Sequence, residues 1–121
     1  MNALETRKLD KRFGNLVVAQ GISLTLPTGA RHALIGPNGA GKTTVINLIT
    51  GALKPDAGEI FLGGREISGL SGDARVKRGL GRTFQINTIF ASLTPLESVA
   101  IAVCERLNVT GKWLSSLVRQ R

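Results

Sequence analysis

The chain has little of what stabilises secreted or membrane-spanning proteins. Its single cysteine, Cys104, excludes an internal disulfide, so a reducing compartment fits best. No apolar stretch approaches the roughly 20 residues that a membrane-spanning helix needs. Residues 1–12 are charged and have no apolar centre, so we expect no signal peptide. Any contact with a membrane is therefore expected to go through a partner protein.

The chain also lacks a dense basic tract, although it is strongly basic. Sixteen Lys and Arg residues against eight Asp and Glu residues give a formal charge of +8. Such an excess can serve nucleic acid or an anionic surface, but the only local cluster is Arg75, Lys77, Arg78 and Arg82. We therefore expect no nucleic-acid partner. The alternative is that the chain is a basic nucleic-acid-binding module. A simpler explanation of the positive net charge is that the rest of the protein, outside these residues, is acidic.

The first half of the 121 residues alternates between strand-like and helix-like patterns, with an ordinary apolar content of 42%. Residues 4–9 and 16–26 predict an antiparallel hairpin around the turn at 13–15. Residues 31–35 are short and apolar at their end, which predicts a buried parallel strand. Residues 42–50 have apolar side chains at helical spacing, with Gly51 as the C-terminal cap.

Shorter elements follow. Residues 59–62 and 65–67 flank a glycine pair that predicts a two-residue hairpin turn. The pattern then predicts a short helix over 72–78, which Gly79 ends. A further strand is predicted over 80–84.

A longer helix is predicted to begin near Thr94. The Thr94 hydroxyl can cap it, Pro95 suits its first position and the Glu97 carboxylate can reach back. An apolar stripe then runs to Leu107, and such stripes are usually part of a core. After residue 109 the pattern fades.

One segment carries a specific chemical signal. Residues Gly36–Thr44 fit the pattern G-x-x-x-x-G-K-[ST] at every fixed position. Glycines allow successive amides to point inward as an anion nest, and the following helix aims its N-terminal amides at the same point. In such a loop Lys42 bridges the β- and γ-phosphates and the Thr43 hydroxyl ligates Mg²⁺. The predicted site comprises Gly36, Pro37, Asn38, Gly39, Ala40, Gly41, Lys42, Thr43 and Thr44.

The residues around this loop extend the match. The sequence resembles ATP-binding-cassette (ABC) ATPases over nearly its whole length, in residues 32–44, 48–51, 54–60 and 81–85. Residues 82–85 and 93–99 resemble the branched-chain amino-acid importer branch. The resemblance implies an α/β P-loop NTPase fold with an N-terminal antiparallel β layer, a partial parallel sheet and the start of a helical subdomain. It places residues 1–90 in the nucleotide-binding core and 91–121 in the helical subdomain.

The same resemblance implies further roles. Phe13 stands where the family places an aromatic ring that stacks on adenine; the alternative is a core residue of the hairpin. Gln85 matches the Q-loop glutamine, which touches Mg²⁺ or the attacking water, so Lys42 and Gln85 are the expected catalytic residues. The implied cofactors are ATP and Mg²⁺. The implied partners are transmembrane permease subunits and a second ATPase subunit, at the cytoplasmic face of the cell membrane.

Some features depart from the family pattern. Leu70-Ser71-Gly72-Asp73 resembles the start of the signature loop but precedes Gln85, so we interpret Ser71 as a helix cap. His32 precedes the P-loop and is interpreted as structural, not as the switch histidine.

The signature loop, the Walker B aspartate, the catalytic glutamate and the switch histidine do not follow Gln85 within these residues. We therefore expect the ATP-binding portion of an importer ATPase, a transport enzyme as a whole, with little hydrolysis by this chain alone. The alternatives are a soluble ABC-type or other P-loop NTPase and an inactive fragment.

Overall fold

The computed structural model describes residues 1–83 and 92–107, and the chain forms two compact units, Met1–Thr83 and Phe84–Arg121. In the first unit the elements are β1 (Asn2–Phe13), β2 (Leu16–Pro27), α1 (Lys42–Thr50), β3 (Ala57–Leu62), β4 (Arg65–Glu66) and α2 (Gly72–Lys77). In the second unit the described helix is α3 (Pro95–Arg106).

The strands form one antiparallel sheet in the order β2-β1-β3-β4. Both predicted hairpins are confirmed: β1 pairs with β2 up to Phe13 opposite Leu16, and β3 pairs with β4 across the two-glycine turn. β3 pairs with the other edge of β1, so β1 lies between β2 and β3. The alternation of apolar and polar residues gives this sheet one face that can be buried.

Helix α1 covers that face. Val45, Leu48 and Ile49 follow one another at helical spacing and are the buried residues of α1. The central core cluster contains Leu48 together with Leu9, Ala19, Ile60 and Ile67. Since these residues come from three strands and from the chain after β4, the core fixes where α1 lies on the sheet.

Two of the predicted strands are absent. Residues 31–35 form no strand, and Ile35 is 88% exposed. A strand needs a neighbour that takes up its backbone hydrogen bonds, and no strand of the described sheet pairs with this segment. An open groove of about 500 Å³ lies beside it, between β2 and α1. Residues 80–83 are also irregular, and Phe84 lies outside the described residues.

Helix α3 begins as predicted. The Thr94 hydroxyl accepts a hydrogen bond from the Glu97 amide at 3.3 Å, and the Glu97 carboxylate accepts one from the Thr94 amide at 2.7 Å. The interpretation of its apolar stripe as core is wrong, because no residue of α3 is buried and Leu96 is 77% exposed. None of the described helices has the length and hydropathy needed to cross a bilayer.

Replacing Thr94 with alanine should loosen the start of α3, because the lost cap leaves helix-start amides without an acceptor. We expect a loss of about 1 kcal/mol in local helix stability. Hydrogen exchange of the α3 amides measures it. Thr94→Ser, which keeps the hydroxyl, is the control. Equal exchange in Thr94→Ala and wild type would show that the cap contributes nothing.

Candidate phosphate-binding loop

Residues 36–41 form a loop that runs directly into α1. The Ala40 amide donates to the Pro37 carbonyl at 3.2 Å, and the Val45 amide donates to the Gly41 carbonyl at 3.0 Å as the first helical bond. Gly41 provides no side-chain cap, and the first turn of α1 has no acidic residue. Because the first amides of a helix have no intrahelical acceptor, this helix start can bind an external anion.

Only glycine fits at position 41, because of its backbone conformation and its contact with β2. Its φ of 84° lies in the left-handed region, and a Cβ placed there would approach the Val18 carbonyl oxygen of β2 to 2.8 Å. Any larger residue would clash with β2 main chain and would be strained in its own backbone. The contact places the end of the loop directly against β2.

Lys42 folds back over the loop that precedes it. Its Nζ donates hydrogen bonds to the carbonyls of Gly36 and of Pro37, the second at 2.6 Å. The ammonium group therefore lies beside the loop main chain and close to the start of α1. A phosphate seated against the helix amides would meet this positive charge as well.

The predicted site residues lie in three separate parts of the chain. The residues from Gly36 to Thr44 form one continuous loop and helix start, with Thr43 exposed and Thr44 half-buried. Phe13 ends β1 and is 48% exposed, so its interpretation as a core residue of the hairpin is wrong. The turn that directly follows Phe13 leads into β2, the strand that contacts Gly41. Gln85 lies outside the described residues.

Asp56 ties the turn before β3 to the end of β1. Its carboxylate accepts hydrogen bonds from the Lys11 ammonium and the Arg12 amide, both at 2.7 Å. The hydrogen bond from Lys11, and then that from Arg12, hold the pKa of Asp56 below its usual value. The Lys11 Nζ also lies 5.6 Å from the Phe13 ring centroid. The side of β1 that leads to Phe13 is therefore held by charged contacts that the sequence did not indicate.

Two residues near α2 differ from their predicted roles. Arg75 was assigned to a basic cluster, whereas its side chain is 1% exposed and makes hydrogen bonds to main chain. Burial lowers its pKa from the usual arginine value. Ser71 occupies the predicted N-cap position of α2. Its hydroxyl, however, makes no capping hydrogen bond to the helix amides. Nothing in the local sequence distinguishes Arg75 from its exposed neighbours.

Comparison with known proteins shows the family. A model of the ABC transporter family matches residues 19–120. The high-affinity branched-chain amino acid transport ATP-binding protein BraF of Pseudomonas aeruginosa is 42% identical over 105 residues, which are 87% of this chain and 41% of that protein. The ribose import ATP-binding protein RbsA of Rhodococcus jostii is 41% identical over 107 residues, which are 88% of this chain and 21% of that protein.

Solved structures give the same result. A nucleotide-free ATP-binding cassette from an ABC transporter is 28% identical with a TM-score of 0.69, and the match covers 92% of this chain and 56% of that one. An ABC transporter cassette in its ADP conformation matches with a TM-score of 0.70, at the same identity and coverage.

The fold is therefore that of part of a P-loop ATPase cassette, as predicted. The predicted partial parallel sheet is not present among the described residues, whose strand pairings are all antiparallel. The chain belongs to the ABC transporter family, whose model covers most of its length. It spans about two-fifths (41%) of the length of the branched-chain amino-acid relatives that it matches.

Proposed function

We propose that this chain is the ATP-binding portion of an importer ATPase subunit, which couples ATP binding and hydrolysis to solute uptake in the whole protein. The observation that carries the proposal is the loop from Gly36 to Gly41, which opens into an uncapped helix start beside the Lys42 ammonium. That arrangement combines amide donors, a helix dipole and one cation at a single point.

In this proposal the main-chain amides of residues 39–44 and the Lys42 ammonium hold the β- and γ-phosphates, and Lys42 stabilises the charge that develops there. Thr43 would hold Mg²⁺, because its hydroxyl is a hard oxygen ligand at the exposed start of α1. When bound, Mg²⁺ would supply charge neutralisation of the phosphates. Phe13 would stack on adenine. Gln85 remains a predicted ligand of Mg²⁺ or of the attacking water, on the resemblance alone.

The proposed solute is a branched-chain amino acid or a similar amide. It is supported by the sequence of residues 82–85 and by the printed names of relatives such as BraF and LivG, although RbsA is named for ribose. The proposed partners are transmembrane permease subunits and a second ATPase subunit, with the protein peripheral to the cytoplasmic face of the membrane. The division into a core at 1–90 and a helical subdomain from 91 stays a prediction.

The proposal is tested by equilibrium titration of the purified chain with ATP in the presence and absence of Mg²⁺. We expect saturable binding that raises the melting temperature, since a ligand that binds only the folded state stabilises it. Equal melting temperatures with and without millimolar ATP, together with no saturable signal, would contradict the proposal. An oligonucleotide titration at low salt tests the nucleic-acid-binding alternative, which ATP would not affect.

Replacing Phe13 with alanine should weaken ATP binding by about two- to twelvefold, because aromatic stacking contributes about 0.5–1.5 kcal/mol. Titration with a fluorescent adenine nucleotide measures the change. Phe13→Tyr should bind as wild type does, since it keeps the ring. Leu16→Ala is the matched control, because Leu16 lies opposite Phe13 across the same turn and is also exposed. An unchanged affinity in Phe13→Ala would remove Phe13 from the site.

A further inference from the structure

The largest fully buried side chain among the described residues is a cation. Arg75 lies on α2 and is 1% exposed. Removing a guanidinium from water is costly unless its donors are all satisfied. Every described hydrogen bond of Arg75 goes to a main-chain carbonyl oxygen and none to a carboxylate. The guanidinium is planar and its donors point in fixed directions. The main-chain carbonyls around it therefore hold the Arg75 side chain in one orientation.

The acceptors come from two segments. The Arg75 Nη1 donates to the carbonyls of Leu48 at 2.8 Å and Ile49 at 2.7 Å, both in α1. The Nη2 and Nε atoms donate to the carbonyls of Ser68 at 2.9 Å and Leu70 at 3.0 Å, which lie between β4 and α2. One side chain thus joins the last turn of α1 to the chain that follows the sheet.

These contacts give α1 what its own sequence lacks. The last carbonyls of a helix have no intrahelical donor, and a positive charge near them is favourable. The last turn of α1 contains no basic residue. Arg75 supplies from α2 both the donors and the positive charge.

A second contact acts on the same part of α1. The Arg82 Nη1 donates to the Asn47 side-chain oxygen at 2.7 Å. Two arginines from the segment after the sheet therefore contact the C-terminal half of the helix that begins at the phosphate-binding loop. In the sequence this segment leads directly to Gln85.

We propose that Arg75 is a positioning residue for nucleotide binding, which fixes the axis of α1 from its C-terminal end. The role rests on the proposed function, because the ligand concerned is the nucleotide. α1 has nine residues and is about 13 Å long. A helix released at one end can tilt, which displaces the Lys42 and Thr43 amides at the other end from a bound phosphate.

The test compares Arg75→Met with Arg78→Met in the purified chain. Arg78 directly follows α2 and is exposed, so its replacement is the matched control. At a temperature well below the melting transition of each variant, Arg75→Met should raise the ATP dissociation constant about tenfold and Arg78→Met should leave it unchanged. Without nucleotide, hydrogen exchange of the helix-bonded amides at residues 45–48 should be faster in Arg75→Met alone.

A merely structural role predicts a different result. It lowers the melting temperature but leaves both the dissociation constant and the exchange at residues 45–48 as in wild type, and that outcome overturns the proposal. In a Lys42→Ala background, the Arg75 replacement should have a smaller effect on affinity, because both act on the same phosphate contacts. Additive effects of the two replacements also contradict a role through the loop.

Two further outcomes are distinguishable. If Arg75→Met does not fold, Arg75→Gln keeps one amide donor group but removes the charge and most of the hydrogen bonds to main chain, and it should weaken ATP binding to a smaller extent. Wild-type affinity and exchange in Arg75→Gln would then overturn the proposal. If the wild-type chain does not bind ATP, the proposed function fails, and the exchange comparison in the nucleotide-free protein decides by itself whether Arg75 positions α1.

Discussion

Replacing Lys42 with alanine is expected to weaken ATP binding by about 10- to 100-fold. A hydrogen bond between charged partners contributes about 1.5–3 kcal/mol, and each 1.4 kcal/mol is about a factor of ten in affinity. The Lys42 ammonium already lies over the loop, bonded to the Gly36 and Pro37 carbonyls. Alanine at this position removes the only side-chain cation of the loop. Only the main-chain amides then remain to bind the phosphates.

Thermal unfolding with and without ATP, combined with a titration, measures this effect. At 100 times its dissociation constant a ligand stabilises the folded state by about 2.7 kcal/mol, and most of that increment should be lost in Lys42→Ala. Lys54→Ala is the control, because Lys54 is exposed in the turn after α1. If Lys42→Ala is stabilised by ATP as strongly as wild type, the nucleotide does not bind in this loop.

Replacing Gly58 with alanine is expected to give the largest loss of stability, about 2–5 kcal/mol. Gly58 has a φ of 92°, where an L-residue is strained by about 1–2 kcal/mol. A Cβ at this position would lie 2.4 Å from the Lys8 carbonyl oxygen and 2.6 Å from that of Arg7. Those atoms are β1 main chain at the shift in the β1–β3 register, so relieving the overlap separates the strands, at a further cost of about 1–3 kcal/mol.

Denaturant unfolding of the purified chain measures this loss as a lower transition midpoint. Gly64→Ala is the matched control: Gly64 has a φ of 77°, and nothing lies within 4 Å of its added Cβ. Gly64→Ala should lose only the backbone strain energy, about 1–2 kcal/mol. Equal losses in the two variants would mean that β3 can move away from β1 without cost.

Local patterns were sufficient for several elements. The β1–β2 and β3–β4 hairpins, the start of α3 and the loop before α1 were predicted correctly because each depends on residues close in sequence: alternation, turn glycines, a capping box and a fixed motif. The prediction of a strand at 31–35 was wrong for the opposite reason. Whether an apolar stretch forms a strand depends on a distant partner, and no strand of the described sheet pairs with it.

The amino-acid sequence by itself predicted the loop and the helix start, because glycines, one lysine and one threonine at fixed spacing are typical of a phosphate-binding loop. The tertiary structure alone decided where that loop is held. The contact of Gly41 with Val18 and the burial of Arg75 against the end of α1 join residues far apart in sequence. Packing between distant segments leaves no periodic or local trace in the chain, so only the folded structure shows it.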